Sequence, residues 1–351
     1  MKDNNITLSG SEKIGLISNL ATMLTAGIPI LEAVDSILED TKGNQRKILE
    51  ALREDLIQGR RVWSTFAKFP RVFDKVTVSV IRASEEAGTL DITLKDLKET
   101  IRKQQEFDDK VKSAMIYPAF ILVVFMGVFL VILLVVIPKI ASVFGRLKFD
   151  LPLPTRILIF MSNLLIEKGF FVLLGAIAIG VSMFFLFRSK RNFFMNILFS
   201  MPLVSTLVMQ IDITRFSRSL YLLLYSGIPI SQALELTEDV VVKKSTTVMI
   251  QACKEMVTSG KNLSDGLRTA KGKIPTIMIK LVEAGEKTGS LDKSLSDIAE
   301  YFDYQVTNTL KTLISLVEPV MLVIIGVVVG GMMLSIIAPI YSLISDVGGA
   351  R

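Results

Sequence analysis

The sequence predicts an all-α membrane protein: two homologous helical bundles of about six helices each, plus three transmembrane helices. Three observations predict it. First, half of the 351 residues are hydrophobic, only 21% are charged, and the apolar residues gather in three blocks. Ala119 to Ile137, Gly169 to Phe187 and Val320 to Ala338 run without an Asp, Glu, Lys or Arg. At about 1.5 Å per residue, each nearly spans a hydrocarbon core of roughly 30 Å. Second, the polar stretches between the blocks carry apolar residues at helical spacing. Third, the chain resembles itself at a near-constant offset that carries through the first and third blocks, the mark of an internal repeat.

From the N-terminus, residues 1–13 are polar and mixed in charge, with no basic stretch leading into an apolar core and no cleavage site, so the N-terminus is expected in the cytoplasm. Ser9 with Glu12 forms a capping-box pattern ahead of Ile14, Ile17, Leu20 and Leu24, one apolar helix face. Gly27 ends that helix and Pro29 suits the first turn of the next. A second corner stands at Glu85-x-x-Gly88-Thr89-Leu90-Asp91. There Gly88 fits a left-handed helix end, Thr89 caps the next helix, and Asp91 lies in its first turn near the positive end of the helix dipole. Leu90, Leu94, Leu97 and Ile101 then start a long helix expected to run into the membrane.

The second copy repeats this punctuation. Ala26-Gly27-Ile28-Pro29-Ile30 returns as Ser226-Gly227-Ile228-Pro229-Ile230, 200 positions on, after a stripe of Phe216, Leu220, Leu223 and Leu224. The second corner returns 201 positions on as Glu286-x-x-Gly289-Ser290-Leu291-Asp292, and leads into Leu295, Ile298 and Phe302. Pro118 and Pro138 around the first block match Pro319 and Pro339 around the third at the same offset. The copied unit is therefore a bundle joined to its own span.

These boundaries divide the chain into cytoplasmic bundle 1 (1–117), span 1 (118–138), an extracytoplasmic loop (139–168), span 2 (169–187), cytoplasmic bundle 2 (188–318), span 3 (319–339) and an extracytoplasmic tail (340–351). Two equivalent bundles on one side need two crossings between them, which gives N-in and C-out. The positive-inside rule agrees only in part: Arg188, Lys190 and Arg191 flank span 2 inside, yet the outer loop carries Lys139, Arg146, Lys148, Arg156 and Lys168.

Composition excludes several functions. The net charge of +6 comes from bases that alternate with acids and lack interleaved aromatics, so nucleic acid is not an expected partner and membrane lipid is. One cysteine, Cys253, and no histidine leave neither an intrachain disulfide nor a histidine-based metal site. Gly260-Lys261-Asn262 lacks the upstream glycine and the hydroxyl of a phosphate loop, and Ser290-x-x-Lys293 has no nucleophile-and-lysine equivalent in the first copy. The protein is expected not to be an enzyme and to need no cofactor. Glu85 and Glu286 are the repeated ionisable residues that a helix corner does not itself require; a bond between helices or a contact with a partner would account for them. Within the spans, Gly326-x-x-x-Gly330 with Gly331, and Ala176-x-x-x-Gly180, permit close helix packing, within a chain or in a homo-oligomer. A repeat-built transporter or channel is the alternative reading, disfavoured by spans without charge.

With the paired Gly-Ile-Pro-Ile corners, the paired Glu-x-x-Gly-x-Leu-Asp corners and Leu151-Pro152-Leu153-Pro154-Thr155-Arg156 standing in order, the chain resembles the type II secretion F family over about residues 10 to 345. These are inner-membrane platform proteins of bacterial type II secretion systems and type IV pili. The resemblance implies a multi-pass inner-membrane protein that couples a cytoplasmic hexameric assembly ATPase to insertion of pilin or pseudopilin subunits into a filament. It also implies contacts with other inner-membrane assembly proteins and with further copies of the chain. By position, Gly27, Pro29, Glu85, Gly88, Leu90 and Asp91, with Gly227, Pro229, Glu286, Gly289, Leu291 and Asp292, are the matching motif residues, expected to shape the bundles and to offer partner contacts. Longer members carry an extra N-terminal domain, whereas this sequence begins almost at the first bundle, so any ATPase or assembly contact that longer members make through that domain is not carried over to it.

Overall fold

The computed structural model describes residues 6–139, 141–142, 153–169, 171, 174, 202–270 and 274–348. Among them the first copy forms α1 (Gly10–Thr25), α2 (Ile30–Asp40), α3 (Gly43–Ile57), α4 (Val62–Phe66), α5 (Lys75–Ala87) and α6 (Leu90–Val131). After α7 (Leu153–Glu167), the second copy forms α8 (Pro202–Tyr225), α9 (Ile230–Thr237), α10 (Lys244–Thr258), α11 (Leu263–Thr269), α12 (Thr276–Thr288) and α13 (Leu291–Gly348). The change of offset from 200 to 201 has a structural cause. α2 and α9 begin 200 apart, α3 and α10 begin 201 apart, and a 3-10 turn, Glu238–Val240, fills the second copy's longer connection.

The chain forms two compact units, Met1–Lys110 with Ser205–Asn308, and Val111–Val204 with Thr309–Arg351. In the first unit both copies contribute to one contiguous apolar core: Leu20, Phe66 and Leu94 belong to it, as do Leu220, Leu267 and Leu295. The two bundles read from the sequence are thus one body in space. The capping box is present, Ser9 N–H donating to Glu12 Oε2 at 2.7 Å and Glu12 N–H to Ser9 Oγ at 3.3 Å. The buried face of α1 is Leu16, Ile17, Leu20 and Ala21, rotated slightly from the expected stripe, with Leu24 only partly buried. Phe66, the last residue of the short helix α4, stacks on Phe73 with ring centroids 4.1 Å apart.

In the second unit the apolar helices turn outward. Ala119–Lys139 and a stretch of α13 are long and apolar enough to cross a membrane, with mean hydropathies of 3.5 and 2.5. Val123 and Val327 are each 70% exposed, and Phe120 and Leu322 each 64%. Contiguous apolar surface on this scale belongs in lipid, where a helix also satisfies its own backbone. The protein is therefore a membrane protein. The expected second span, 169–187, lies outside the described residues except for Gly169, Phe171 and Leu174. Within the segment 139–168 the chain forms the helix α7, and residues 340–348 continue the helix of the third apolar block. Ile132–Val136 form a π-turn at the end of the first span. Pro138 cannot donate to the carbonyl four residues back, and the widened turn lies just ahead of it. Ser162 on α7 donates to the carbonyl of Leu133 in that turn at 2.6 Å, so α7 satisfies a group that the turn displaces.

Candidate functional site

Four corners carry the motif residues. At Gly27 and Gly227 the backbone has φ of 80° and 78°, the left-handed region that favours glycine. The closure is the same in both: Ile28 N–H donates to Met23 O and Ile228 N–H to Leu223 O, each at 3.0 Å. Pro29 and Pro229 stand at the cap, one residue before the helix rather than inside its first turn. Their carbonyls accept from Ala33 and Ala233 at 2.9 Å. At the second corner, Gly88 and Gly289 have φ of 72° and 68°. Thr89 N–H reaches Ser84 O and Ser290 N–H reaches Gly285 O, both at 2.9 Å. Asp91 and Asp292 lie in the first turns of α6 and α13, and Leu90 and Leu291 pack against the core.

Glu85 and Glu286 reach across to another helix. Glu85 accepts from the backbone N–H of Val62 at 3.0 Å and of Trp63 at 3.3 Å, the first two residues of α4. Glu286 accepts from Leu263 N–H and, at 3.3 Å, from Ser264 N–H, the first two residues of α11. Neither Arg61 nor Asn262, at the cap position of these helices, makes a side-chain cap bond. The carboxylate from the next helix along the chain therefore supplies the cap, placing a negative charge at the positive end of the dipole. The paired glutamates are thus bonds between helices, and the α4–α5 and α11–α12 corners are each closed by one.

Sequence reasoning missed Asp55, which is 3% exposed on α3. It accepts from Thr65 Oγ1 at 2.6 Å, Lys68 Nζ at 2.5 Å and Arg60 Nη1 at 3.0 Å. Burial alone would push its carboxyl up, but the bonds from Lys68 and Thr65 and the charges of Lys68 and Arg60 outweigh it, holding the carboxyl below its usual range. The second copy replaces this arrangement entirely. Met256 and Gly266 stand where the first copy has Asp55 and Thr65, and a Cβ at Gly266 would fall 2.5 Å from Cys253 Cα. One copy joins its third and fourth helices by a buried carboxylate, the other by close backbone approach. Cys253 is fully buried there, and burial pushes its thiol up to about 12, so it is an inert packing residue. Asp212, also buried, accepts from Val242 and Lys243 N–H at 2.8 and 2.7 Å at the start of α10; burial raises its carboxyl despite those amides.

Charged groups also join the copies. Arg215 Nη2 meets Asp108 at 3.0 Å, Lys103 meets Glu300 at 2.9 Å, Lys110 meets Asp303 at 3.2 Å and Lys75 meets Asp239 at 2.6 Å. Arg218, 8% exposed, donates to Gln104 Oε1 at 3.1 Å and lies 3.5 Å from Asp303. A cavity of about 340 Å³ lined by Lys13, Thr77, Gln104, Asp108, Arg215 and Asp239 lies beside these groups.

In the second unit, an apolar cleft of about 290 Å³ separates Phe120, Val124 and Phe129 on α6 from Ile325, Val328 and Val329 on α13. Gly326 and Gly330 are on α13, where an added Cβ would meet nothing within 4 Å, and Gly331 is next on the same helix. The structure thus brings no described residue of the chain against Gly326 or Gly330, while Ala176 and Gly180 lie outside the described residues.

These features define a class: an all-helical membrane protein made from a duplicated bundle-and-span unit. Type II secretion system protein F matches the chain twice, over residues 16–138 and 216–339, once for each copy. The chain belongs to that family. It is 30% identical to the type IV pilus assembly protein PilC of Myxococcus xanthus, over 98% of this chain and 84% of the relative. It is 31% identical to PilC of Thermus thermophilus, over 93% and 80%. It is 29% identical to the type II secretion system protein F of Pseudomonas aeruginosa, over 97% and 85%.

Proposed function

We propose that this protein is the inner-membrane platform of a type IV pilus or type II secretion machine, a non-enzymatic part that takes movement from a cytoplasmic hexameric ATPase and passes it to pilin-like subunits entering a filament. The observation that carries this reading is the repeated unit itself. In both copies one helix, α6 or α13, starts at a capped corner in the bundle and runs without interruption into an apolar stretch. An unbroken helix resists bending over its length, so a displacement at its cytoplasmic end is felt along the span. N-in, C-out topology would place both bundles where an ATPase works, and the glycine face of α13 suits contact with a further copy of the chain.

Inserting Gly-Gly-Pro between Val111 and Lys112 tests the coupling. The expected result is a protein that still inserts and accumulates in the membrane but assembles no filament. Normal filament assembly by that variant would remove α6 as the transmitting element, and normal assembly or secretion in a strain lacking the protein would remove the platform role altogether.

A further inference from the structure

The ion pairs between the copies are informative because each copy contains the other's counterpart of every residue involved. The first copy contributes Lys75, Lys103, Asp108 and Lys110; the second contributes Asp239, Glu300, Arg215 and Asp303. The repeat offsets give the residues that a pairing of like copies would set face to face. If a second copy 1 took the place of copy 2, Lys75 would meet Glu39 and Lys103 would meet Glu99, but Asp108 would meet Gly15 and Lys110 would meet Arg102. If a second copy 2 took the place of copy 1, Asp239 would meet Thr276, Glu300 would meet Tyr304 and Arg215 would meet Thr309, leaving only Asp303 with Lys311. The observed pairing satisfies all four positions. Pairing of first copies loses two of the four attractions and turns one of those into a repulsion between cations, and pairing of second copies loses three.

We infer that the two copies have diverged into an exclusive pair: the face of α5 and α6 in copy 1 fits the face of α8, α9 and α13 in copy 2 of the same chain, and not copy 1 of a neighbouring chain. Apolar contacts in the shared core supply adhesion without choosing between such similar copies, whereas complementary charge sets partner choice. Chains that assemble into a larger platform then meet through other surfaces, because this face is occupied within each chain.

Cross-linking of the full-length protein in membranes tests this. The native thiol, Cys253, is buried and does not compete. With Lys103→Cys and Glu300→Cys together, a short bismaleimide is expected to join the two within one chain, leaving a monomer with both thiols consumed. Lys103→Cys alone is expected to give no cross-linked dimer above that of the unsubstituted chain. Dimers from Lys103→Cys alone at a yield comparable to the doubly substituted chain would overturn the exclusive pairing, as would joining of the double variant chiefly between chains.

A second measurement isolates the charges. With cysteines at Lys75→Cys and Asp239→Cys as the reporter, Lys103→Glu is expected to slow cross-linking roughly threefold, as befits one half-exposed pair, and Lys103→Glu with Glu300→Lys to restore it. Both side chains are about half exposed or more, so neither reversal threatens the core. An unchanged rate, or failure of the double reversal to restore it, would show that charge does not choose the partner.

Discussion

Removing the carboxylate of Glu85 separates its capping role from a contact with a partner. Glu85 is half-buried and accepts from two backbone N–H groups at 3.0 and 3.3 Å, at a helix start whose own cap residue makes no side-chain bond. Hydrogen bonds to a charged group contribute about 1.5–3 kcal/mol when the donors would otherwise be left unsatisfied. Water reaches this corner in part, so Glu85→Ala is expected to cost about 2 kcal/mol locally. At about 1.4 kcal/mol per tenfold, the amides of Val62 and Trp63 should exchange with deuterium roughly 30-fold faster. Glu85→Gln keeps an acceptor oxygen but loses the charge, and should fall between the two. Hydrogen exchange read by mass spectrometry over 60–70 in the detergent-solubilised protein measures the effect. Glu286→Ala should raise exchange at Leu263 and Ser264 in the same way and leave 60–70 unchanged. If Glu85→Ala abolished filament assembly while exchange over 60–70 stayed at its original rate, the capping account would be wrong and a partner contact would take its place.

Gly266→Ala opposes two effects of known sign. Helix propensity favours alanine by about 1 kcal/mol, but the new Cβ would stand 2.5 Å from Cys253 Cα and 3.0 Å from its nitrogen, both backbone atoms that cannot rotate away. The clash should win by about 1–3 kcal/mol and lower the thermal midpoint in detergent; a raised midpoint would contradict it. Gly88→Ala meets no neighbour within 4 Å, so its cost of about 1 kcal/mol should come from φ of 72° alone, and Gly88→Asn should cost less in the same melting assay. Asp55→Asn should lower stability near neutral pH. Because the folded carboxyl titrates below its ordinary value, the stability it contributes is complete above about pH 4 and is lost as pH falls through the folded value. Melting curves of the two proteins should therefore converge in acid, and a gap of constant size down to the acid limit would refute the charge-based account.

The sequence by itself determined the helices, the duplication, the corners and the apolar spans. Each is a local signal: Gly27 and Gly88 adopt left-handed backbone because the helix ahead of them must close within a few residues. Ser9 and Glu12 cap within one turn, and a run such as Ala119 to Ile137 declares its solvent without reference to the rest of the chain. Even the change of offset was visible there, although its cause, the extra residue beside the 3-10 turn, was not.

Only the tertiary structure decided what the repeated glutamates do, because the amides they cap lie 22 or 23 positions earlier on a different helix. It also decided that Asp55 in one copy and the Gly266–Cys253 approach in the other solve the same packing problem, and that the two bundles share one core. Lys103 and Glu300 are separated by nearly two hundred residues, and no helical period or cap pattern specifies that they meet. Local patterns fix which face of a helix is apolar; the partner and register of that face depend on every other helix packing at once, and that is a property of the folded chain.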